Sequence, residues 1–100
     1  MISIYVTFPD QKSAQEISEK LLDEKLIACS NISQHQSMYL WKGEKCIEDE
    51  WHAIMKSKES LWKEIKNRIL KLHPYDVPCI LKIDVDANDD YKKWVQDSCK

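Results

Sequence analysis

The chain has 100 residues, which is enough for one domain with a single hydrophobic core. Its only glycine excludes the glycine-rich loops that bind a phosphate or a dinucleotide, because those loops need several positions without a Cβ. Fifteen basic and seventeen acidic residues give a formal net charge of -2, whereas nucleic-acid-binding proteins usually carry a basic surplus. We therefore expect no nucleic-acid partner.

Neither hydropathy nor the first residues indicate a membrane location. No apolar run approaches the roughly 18 residues needed to span a bilayer. Residues 1–6 lack the basic start and cleavage site of a signal peptide, so we expect a cytoplasmic protein with no membrane partner. In that compartment the cysteines stay reduced, and no two of them have the C-x-x-C spacing of a dithiol or a zinc ribbon.

The first elements in the chain are a predicted strand and a predicted helix. Apolar and polar residues alternate from Ile2 to Phe8, which is the period of a strand. Asp10 is a suitable N-cap for the helix that follows. Apolar side chains then recur at helical spacing over residues 14–22.

The middle of the chain predicts a hairpin. Extended character runs over residues 26–32, is interrupted by the polar residues 33–36, and resumes at residues 37–41. The only glycine lies in residues 42–44, which we predict as the hairpin turn. Alternation then continues in a second long strand that contains Trp51.

The last third predicts a helix, a strand and a terminal helix. Residues 61–72 have helical periodicity, with Ser57 or Ser60 as a possible cap. Prolines end this helix, because proline neither continues a helix nor permits a helical residue before it. Residues 79–85 alternate as a strand, and residues 91–98 form a short amphipathic helix.

The predicted order is β-α-β-β-α-β with an extra C-terminal helix, the ferredoxin-like arrangement of the α+β class. We expect a single domain over residues 1–100, a four-stranded antiparallel sheet, and a long hairpin between the second and third strands. Two helices cover only one face of such a sheet. We place Tyr5, Thr7, Ile54 and Ile80 on the open face, and an apolar open face predicts an oligomer.

A row of potential metal ligands runs along the third strand. Cys46, Glu48, Glu50 and His52 share one face, with neighbours about 7 Å apart. The hairpin places His35 opposite His52 if its loop is residues 43–44, and opposite Glu50 if it is residues 42–43. Imidazole, thiolate and carboxylate together suit copper or zinc. A solvated strand face with incidental ligands is the favoured interpretation, because structural zinc sites need converging ligands.

Two other residues have both a structural and a functional interpretation. His73 ends a helix, where histidine commonly contacts the last carbonyls, but it could also act as a ligand or an acid-base group. Cys29 has the surroundings of a small buried apolar residue. No nucleophile has an evident neighbouring base. The residues alone therefore predict an oligomeric binding domain and no reaction.

A series of motifs resembles the CutA family, the divalent-cation-tolerance proteins. The resemblance covers essentially the whole chain, with the motifs in order and at the family's spacing. The matching segments are Ile27-Ala28-Cys29-Ser30-Asn31-Ile32, Ser37-Met38-Tyr39-Leu40-Trp41-Lys42-Gly43, Glu48-Asp49-Glu50, Lys56-Ser57, Leu72-His73-Pro74-Tyr75-Asp76-Val77-Pro78, and Asp90-Tyr91 with Trp94.

The resemblance implies a ferredoxin-like protomer in a tight homotrimer, with the long hairpin strands pairing between subunits. It also implies a link to copper tolerance and divalent-cation binding, with His73 as the metal ligand. Copper-binding members carry a cysteine where this chain has Val6, and a second histidine where it has Leu72. The positions implied for an inter-subunit ligand cleft are Cys29, Tyr39, Trp41, Glu50, Lys56 and Tyr75.

The leading hypothesis is a non-catalytic, cytoplasmic homotrimer that binds copper or another divalent cation and needs no cofactor to fold. One alternative resembles the PII proteins: a trimeric signalling module that binds a small anionic metabolite in the inter-subunit cleft. In the inter-subunit cleft of either hypothesis, Lys56 would orient an anion, Glu50 would accept a proton or a cation, and the aromatic residues would stack. Another alternative is a structural trimeric scaffold for a protein partner.

Overall fold

The computed structural model describes residues 1–100 and contains four strands and three α-helices. In chain order these are β1 (Ile2–Phe8), α1 (Gln11–Asp23), β2 (Cys29–Trp41), β3 (Glu44–Ser57), α2 (Trp62–Leu72), β4 (Ile80–Asp84) and α3 (Asp89–Ser98). A single 3₁₀ turn, Glu59–Leu61, precedes α2. No helix is long and apolar enough to cross a membrane. The element order confirms the predicted α+β, ferredoxin-like arrangement with an extra C-terminal helix.

The four strands form one antiparallel sheet in the order β2-β3-β1-β4. The register places Val6 of β1 opposite Ala53 of β3 on one side and Ile80 of β4 on the other. Direct partners in an antiparallel ladder point to the same face. These three residues therefore mark the face that the helices cover.

The hydrophobic core lies between this face and the first two helices. In β1 every second residue is completely buried, as the strand period requires. In α1 and α2 the core residues are spaced three or four apart, which keeps them on one stripe of each helix. Each large buried apolar side chain contributes about 1.5–3 kcal/mol. The central residues are Ile2, Ile4, Val6, Phe8, Ile17, Leu21, Met55, Ile65 and Ile69.

The opposite face of the sheet is open and partly apolar. Tyr5 pairs with Ile54 on one side and with Leu81 on the other. Leu81 and Ile83 are 49% and 48% exposed. The prediction that Ile80 lies on this face was wrong, because the register turns it toward the helices, where it packs against the core. Leu81 and Ile83 take its place on the open face.

β2 and β3 form one continuous hairpin, from Cys29 opposite Lys56 to Trp41 opposite Glu44. The predicted interruption at residues 33–36 was wrong, because the ladder is held by backbone hydrogen bonds that polar side chains do not disturb. β1 pairs with β3 only as far as Trp51. Beyond that point the hairpin projects by about 20 Å, at 3.3 Å per residue. The molecule is accordingly elongated, with extents of 45 × 25 × 21 Å.

The hairpin turn consists of Lys42 and Gly43, with φ of 51° and 81°. Two-residue hairpin turns of type I′ require a positive φ at both positions. Nothing lies within 4 Å of a Cβ built on Gly43, so the backbone conformation favours glycine here and crowding does not. This loop places His35 opposite Glu50, the second of the two registers considered from the sequence.

Of the N-caps predicted for the first two helices, the structure confirms the one at α1 and corrects the one at α2. The carboxylate of Asp10 accepts a hydrogen bond from the Ser13 N–H at 2.7 Å. Ser57 was wrongly predicted as a possible cap of the second helix. It ends β3, where its buried hydroxyl donates to the Leu26 carbonyl at 2.6 Å. α2 begins after the 3₁₀ turn with no side-chain cap, and the buried side chain of Leu61 anchors that turn.

α3 covers the end of the sheet that is remote from the hairpin turn. Its Val95 is buried, and Cys99 just after it joins the core. The hydroxyl of Tyr91 lies 3.3 Å from the sulfur of Cys29 at the base of the hairpin. The cleft described next, in the half of the hairpin nearer its turn, is left uncovered by this helix.

Candidate functional site

A cleft of about 550 Å³ lies between the open face of the hairpin and the segment that connects α2 to β4. The connecting segment starts at His73 and contains Pro74 and Pro78, which prevent it from continuing as a helix. The lining residues come from β1, β2, β3 and this segment. They are Thr7, Tyr39, Trp41, Cys46, Glu48, Glu50, Pro74, Tyr75, Asp76, Val77 and Cys79.

The hairpin wall of the cleft follows from the strand period. Cys46, Glu48 and Glu50 are spaced two apart in β3, so they share a face with about 7 Å between neighbours. Tyr39 of β2 is the direct partner of Cys46, and Trp41 follows it on the same face. The shared face predicted for the three β3 residues is confirmed.

Glu50 is a buried carboxylate, 7% exposed. The hydroxyl of Tyr75 donates a hydrogen bond to its Oε2 atom, and its Oε1 atom lies 3.9 Å from Nε2 of His35. A buried carboxylate is costly unless it is paired, so the hydrogen bond from Tyr75 stabilises it. Burial and the hydrogen bond to Glu50 raise the pKa of Tyr75, which keeps the phenol protonated and able to donate.

The cleft is acidic. Its lining contains the carboxylates of Glu48, Glu50 and Asp76 and no lysine or arginine. Hydrogen bonding to Glu48 raises the pKa of Tyr39 to about 12. Burial, followed by the charge of Glu50, raises the pKa of the Cys79 thiol. A concave surface with charge of one sign concentrates ions of the opposite sign, so this cleft attracts cations.

His73 lies beside the cleft with both ring nitrogens occupied. Its Nε2–H donates to the Thr7 carbonyl at 2.7 Å, and its Nδ1 accepts from the Tyr75 N–H at 3.1 Å. The ring also stacks on Phe8, with centroids 5.1 Å apart. Burial lowers the pKa of His73, which favours the neutral ring. His73 therefore positions Thr7 and Tyr75, and it presents no free nitrogen to an ion.

Four of the six residues implied for the ligand cleft line it: Tyr39, Trp41, Glu50 and Tyr75. Cys29 and Lys56 do not. They are direct partners at the base of the hairpin, six residues from Glu50 along β3, or about 20 Å. Cys29 contacts α3, and the Lys56 ammonium donates to the Asn31 side chain at 2.9 Å.

His35 and His52 form a close pair on the same open face. Their Nδ1 atoms are 2.7 Å apart. Nε2 of His35 also lies 2.8 Å from the Ser37 hydroxyl. Tyr5 stacks against His52 with ring centroids 5.3 Å apart. Burial, followed by the charge of His35, lowers the pKa of His52.

Asp76 and Thr7 line the cleft but were not predicted to do so. Asp76 follows Tyr75 in the proline-containing segment, and that adjacency is the signal that could have identified it. No comparable signal marks Thr7, because only the tertiary structure brings β1 to this segment. No three His, Cys, Asp or Glu side chains of the chain converge closely enough to hold a metal ion. One protomer therefore offers suitable donors without a closed ligand set.

Comparison with known proteins identifies the family. Residues 2–98 match the family described as CutA1 divalent ion tolerance protein. The chain belongs to the CutA1 family. It is 50% identical to the divalent-cation tolerance protein CutA of Pyrococcus horikoshii over 101 residues, covering 100% of this chain and 99% of the relative. The CutA of Thermotoga maritima is 42% identical over 98% of each chain.

Solved structures of CutA proteins share the fold. The crystal structure of CutA1 from Pyrococcus horikoshii has a TM-score of 0.97 at 48% identity, over 100% of this chain and 99% of that one. The PII-like protein CutA from Nostoc sp. PCC 7120, in apo form, has a TM-score of 0.93 at 31% identity, over 100% and 98%. The CutA resemblance and the fold predicted from the sequence are both confirmed.

Proposed function

We propose that this CutA1-family chain forms a non-catalytic homotrimer that binds a divalent cation in the acidic cleft and serves metal tolerance. Copper is the first candidate ion. The observation that carries the proposal is a cleft with three carboxylates, two thiols and no basic side chain. Such donors suit divalent transition ions. The related proteins from Pyrococcus horikoshii and Thermotoga maritima are named for divalent-cation tolerance, which supports the same interpretation.

The donors in the cleft have different accessibility. Glu48 is exposed and Cys46 is half-buried, so both can reach an ion that enters from solvent. Glu50 is held by Tyr75 and acts as a fixed negative charge behind them. Because one protomer does not close a ligand set, the proposal needs water or a neighbouring protomer to complete the coordination.

The trimer is supported by two unpartnered apolar surfaces. One is the open sheet face around Leu81 and Ile83. The other is the projecting hairpin, where Met38, Leu40 and Ile47 are 66%, 73% and 56% exposed. Apolar surfaces and unpaired strand edges of this kind favour association.

A PII-like module that binds a small anionic metabolite is the second candidate. The likeness to the PII-like CutA of Nostoc favours it. The charge of the cleft opposes it, because Lys56, the residue expected to orient the anion, lies outside the cleft of its own protomer. The cation is therefore the preferred ligand.

Isothermal titration calorimetry with Cu²⁺, Zn²⁺ and Mn²⁺ tests the proposal. The variant that combines Glu48→Gln with Asp76→Asn removes two exposed carboxylates of the cleft. We expect it to bind Zn²⁺ and Mn²⁺ at least tenfold more weakly, a loss of about 1.4 kcal/mol, and to lose the Cu²⁺ binding event that belongs to the cleft. Glu19→Gln, an exposed carboxylate on α1, is the matched control.

Unchanged affinity in the cleft variant would contradict the proposal. A thermal-shift series with nucleotides and small carboxylates separates the second candidate, because a ligand raises the melting temperature by mass action. Stabilisation by such anions without any response to the cations would favour the metabolite.

A further inference from the structure

We propose that His35 and His52 form a second cation site, which binds Cu(II) through their two Nδ1 atoms and does not depend on the acidic cleft. The two residues lie on adjacent strands at diagonal positions, since the direct partner of His35 is Glu50. Their Nδ1 atoms are 2.7 Å apart, and their ring centroids are 4.8 Å apart. Two imidazole nitrogens thus already meet at one point on the open face.

The contacts of His35 prepare its Nδ1 atom as a ligand. Its other nitrogen, Nε2, lies 2.8 Å from the Ser37 hydroxyl and 3.9 Å from a carboxylate oxygen of Glu50. In the tautomer that donates from Nε2 to the Ser37 hydroxyl, the Nδ1 atom of His35 keeps its lone pair. The charge of Glu50 also offsets part of the charge of an ion bound to the ring.

The orientation of His52 is restrained as well. Tyr5 stacks against its ring, with centroids 5.3 Å apart and an angle of 29° between the planes. The side chain of His35 is only 20% exposed, so the pair has limited freedom to separate. Restrained ligands lose less entropy when they bind an ion.

The spacing of the two nitrogens is nearer to that of a square-planar site than to that of a tetrahedral one. Two nitrogens bound at about 2.0 Å to adjacent corners of a square-planar ion are about 2.8 Å apart, whereas tetrahedral zinc requires about 3.3 Å. The observed 2.7 Å is the length of the hydrogen bond between the two rings, and only a small increase brings it to the first value. Without metal, the Nδ1–H of one ring donates a hydrogen bond to the Nδ1 atom of the other. When copper binds, the donor ring releases this proton to solvent and takes up a proton at Nε2, so both Nδ1 lone pairs are free for the ion once the rings turn toward it.

The remaining coordination positions are left to water or to a neighbouring protomer, because the pair lies on the open face proposed as the interface. No third His, Cys, Asp or Glu side chain converges with the pair. One protomer therefore supplies two of the ligands. It differs from the cleft in donor type, since the cleft offers carboxylates and thiols and the pair offers imidazole.

Electron paramagnetic resonance of the purified protein with one equivalent of Cu²⁺ tests this site. Two bound imidazoles give nitrogen hyperfine couplings, and labelling the histidines with ¹⁵N changes their splitting in the wild-type protein. We expect His35→Gln and His52→Gln each to abolish the two-nitrogen pattern and to weaken Cu²⁺ binding at least tenfold. His73→Gln is the control, because both nitrogens of His73 are already occupied.

The carboxylate variant of the cleft separates the two proposals. Glu48→Gln with Asp76→Asn is expected to keep the two-nitrogen pattern even where it lowers overall cation affinity. The histidine proposal is overturned if the pattern persists with both His35 and His52 replaced, if ¹⁵N-histidine leaves the wild-type spectrum unchanged, or if His73→Gln removes the pattern.

Discussion

The hydroxyl of Tyr75 donates a hydrogen bond to the buried carboxylate of Glu50 and so joins the segment after α2 to the long hairpin. This bond spans the cleft, because Tyr75 and Glu50 lie on opposite walls of it. The walls of the cleft are therefore held together by an interaction between a neutral donor and a charged acceptor.

Removing the hydroxyl with Tyr75→Phe is expected to destabilise the protein by about 2 kcal/mol, because hydrogen bonds to charged groups contribute about 1.5–3 kcal/mol. Chemical denaturation at fixed protein concentration measures the loss. A double-mutant cycle with Glu50→Gln gives the coupling between the two residues. Strictly additive effects of the two substitutions would mean that the pair does not hold the cleft walls together.

The open sheet face is expected to drive self-association. Ile83→Lys places a charge in this apolar patch and should convert the proposed trimer to smaller species. Leu70→Lys is the control, since Leu70 is similarly exposed, at 51% against 48% for Ile83, but lies on α2. Size-exclusion chromatography with light scattering measures the mass of each variant. A trimeric Ile83→Lys variant, or equal dissociation of both variants, would argue against the open face as the interface.

The geometry of the hairpin turn predicts that two substitutions change the stability of the protein in opposite directions. Gly43→Ala is expected to cost about 1 kcal/mol, because an L-residue is disfavoured at a positive φ and nothing else crowds the position. Lys42→Asn is expected to stabilise the protein by a few tenths of a kcal/mol, since Asn-Gly is the preferred pair in a type I′ turn. Thermal denaturation under identical conditions compares the two. Stabilisation by Gly43→Ala would show that the turn adopts another conformation.

His73 predicts how stability depends on pH. Burial lowers the pKa of His73 in the folded protein below its unfolded value of about 6.5. The neutral ring of His73 therefore contributes to the free energy of unfolding above pH 6.5. This contribution is lost as the pH falls through the folded pKa, because the unfolded chain takes up the proton more readily. The free energy of unfolding between pH 7.5 and 5 should fall more steeply in the wild type than in His73→Gln. Parallel curves would exclude this role of His73.

Most of the fold follows from patterns that the sequence shows directly. The alternation of Ile2, Ile4, Val6 and Phe8 defines the central strand, and the Asp10 cap marks the start of α1. The polar side chains of residues 33–36 led to the wrong prediction of a break in the strand, since backbone pairing with β3 keeps these residues in the ladder. The face of Ile80 depends on the register of β4 against β1, which the alternation within β4 does not contain.

The candidate site was harder to predict than the fold. The spacing of Cys46, Glu48 and Glu50 was sufficient to place them on one face. The position of Asp76 depends on the path of the segment after α2, which strand and helix periods do not describe. The close approach of His35 to His52 required both the loop length and the rotamers, since the direct partner of His35 is Glu50.

The most direct test of the central claim, that the acidic cleft binds a divalent cation, is an anomalous difference map from crystals saturated with Cu²⁺. We predict a peak in the cleft within coordination distance of Glu48 or Cys46 in every protomer. A map without a peak in the cleft, or with peaks only at the pair of His35 and His52, would contradict that claim.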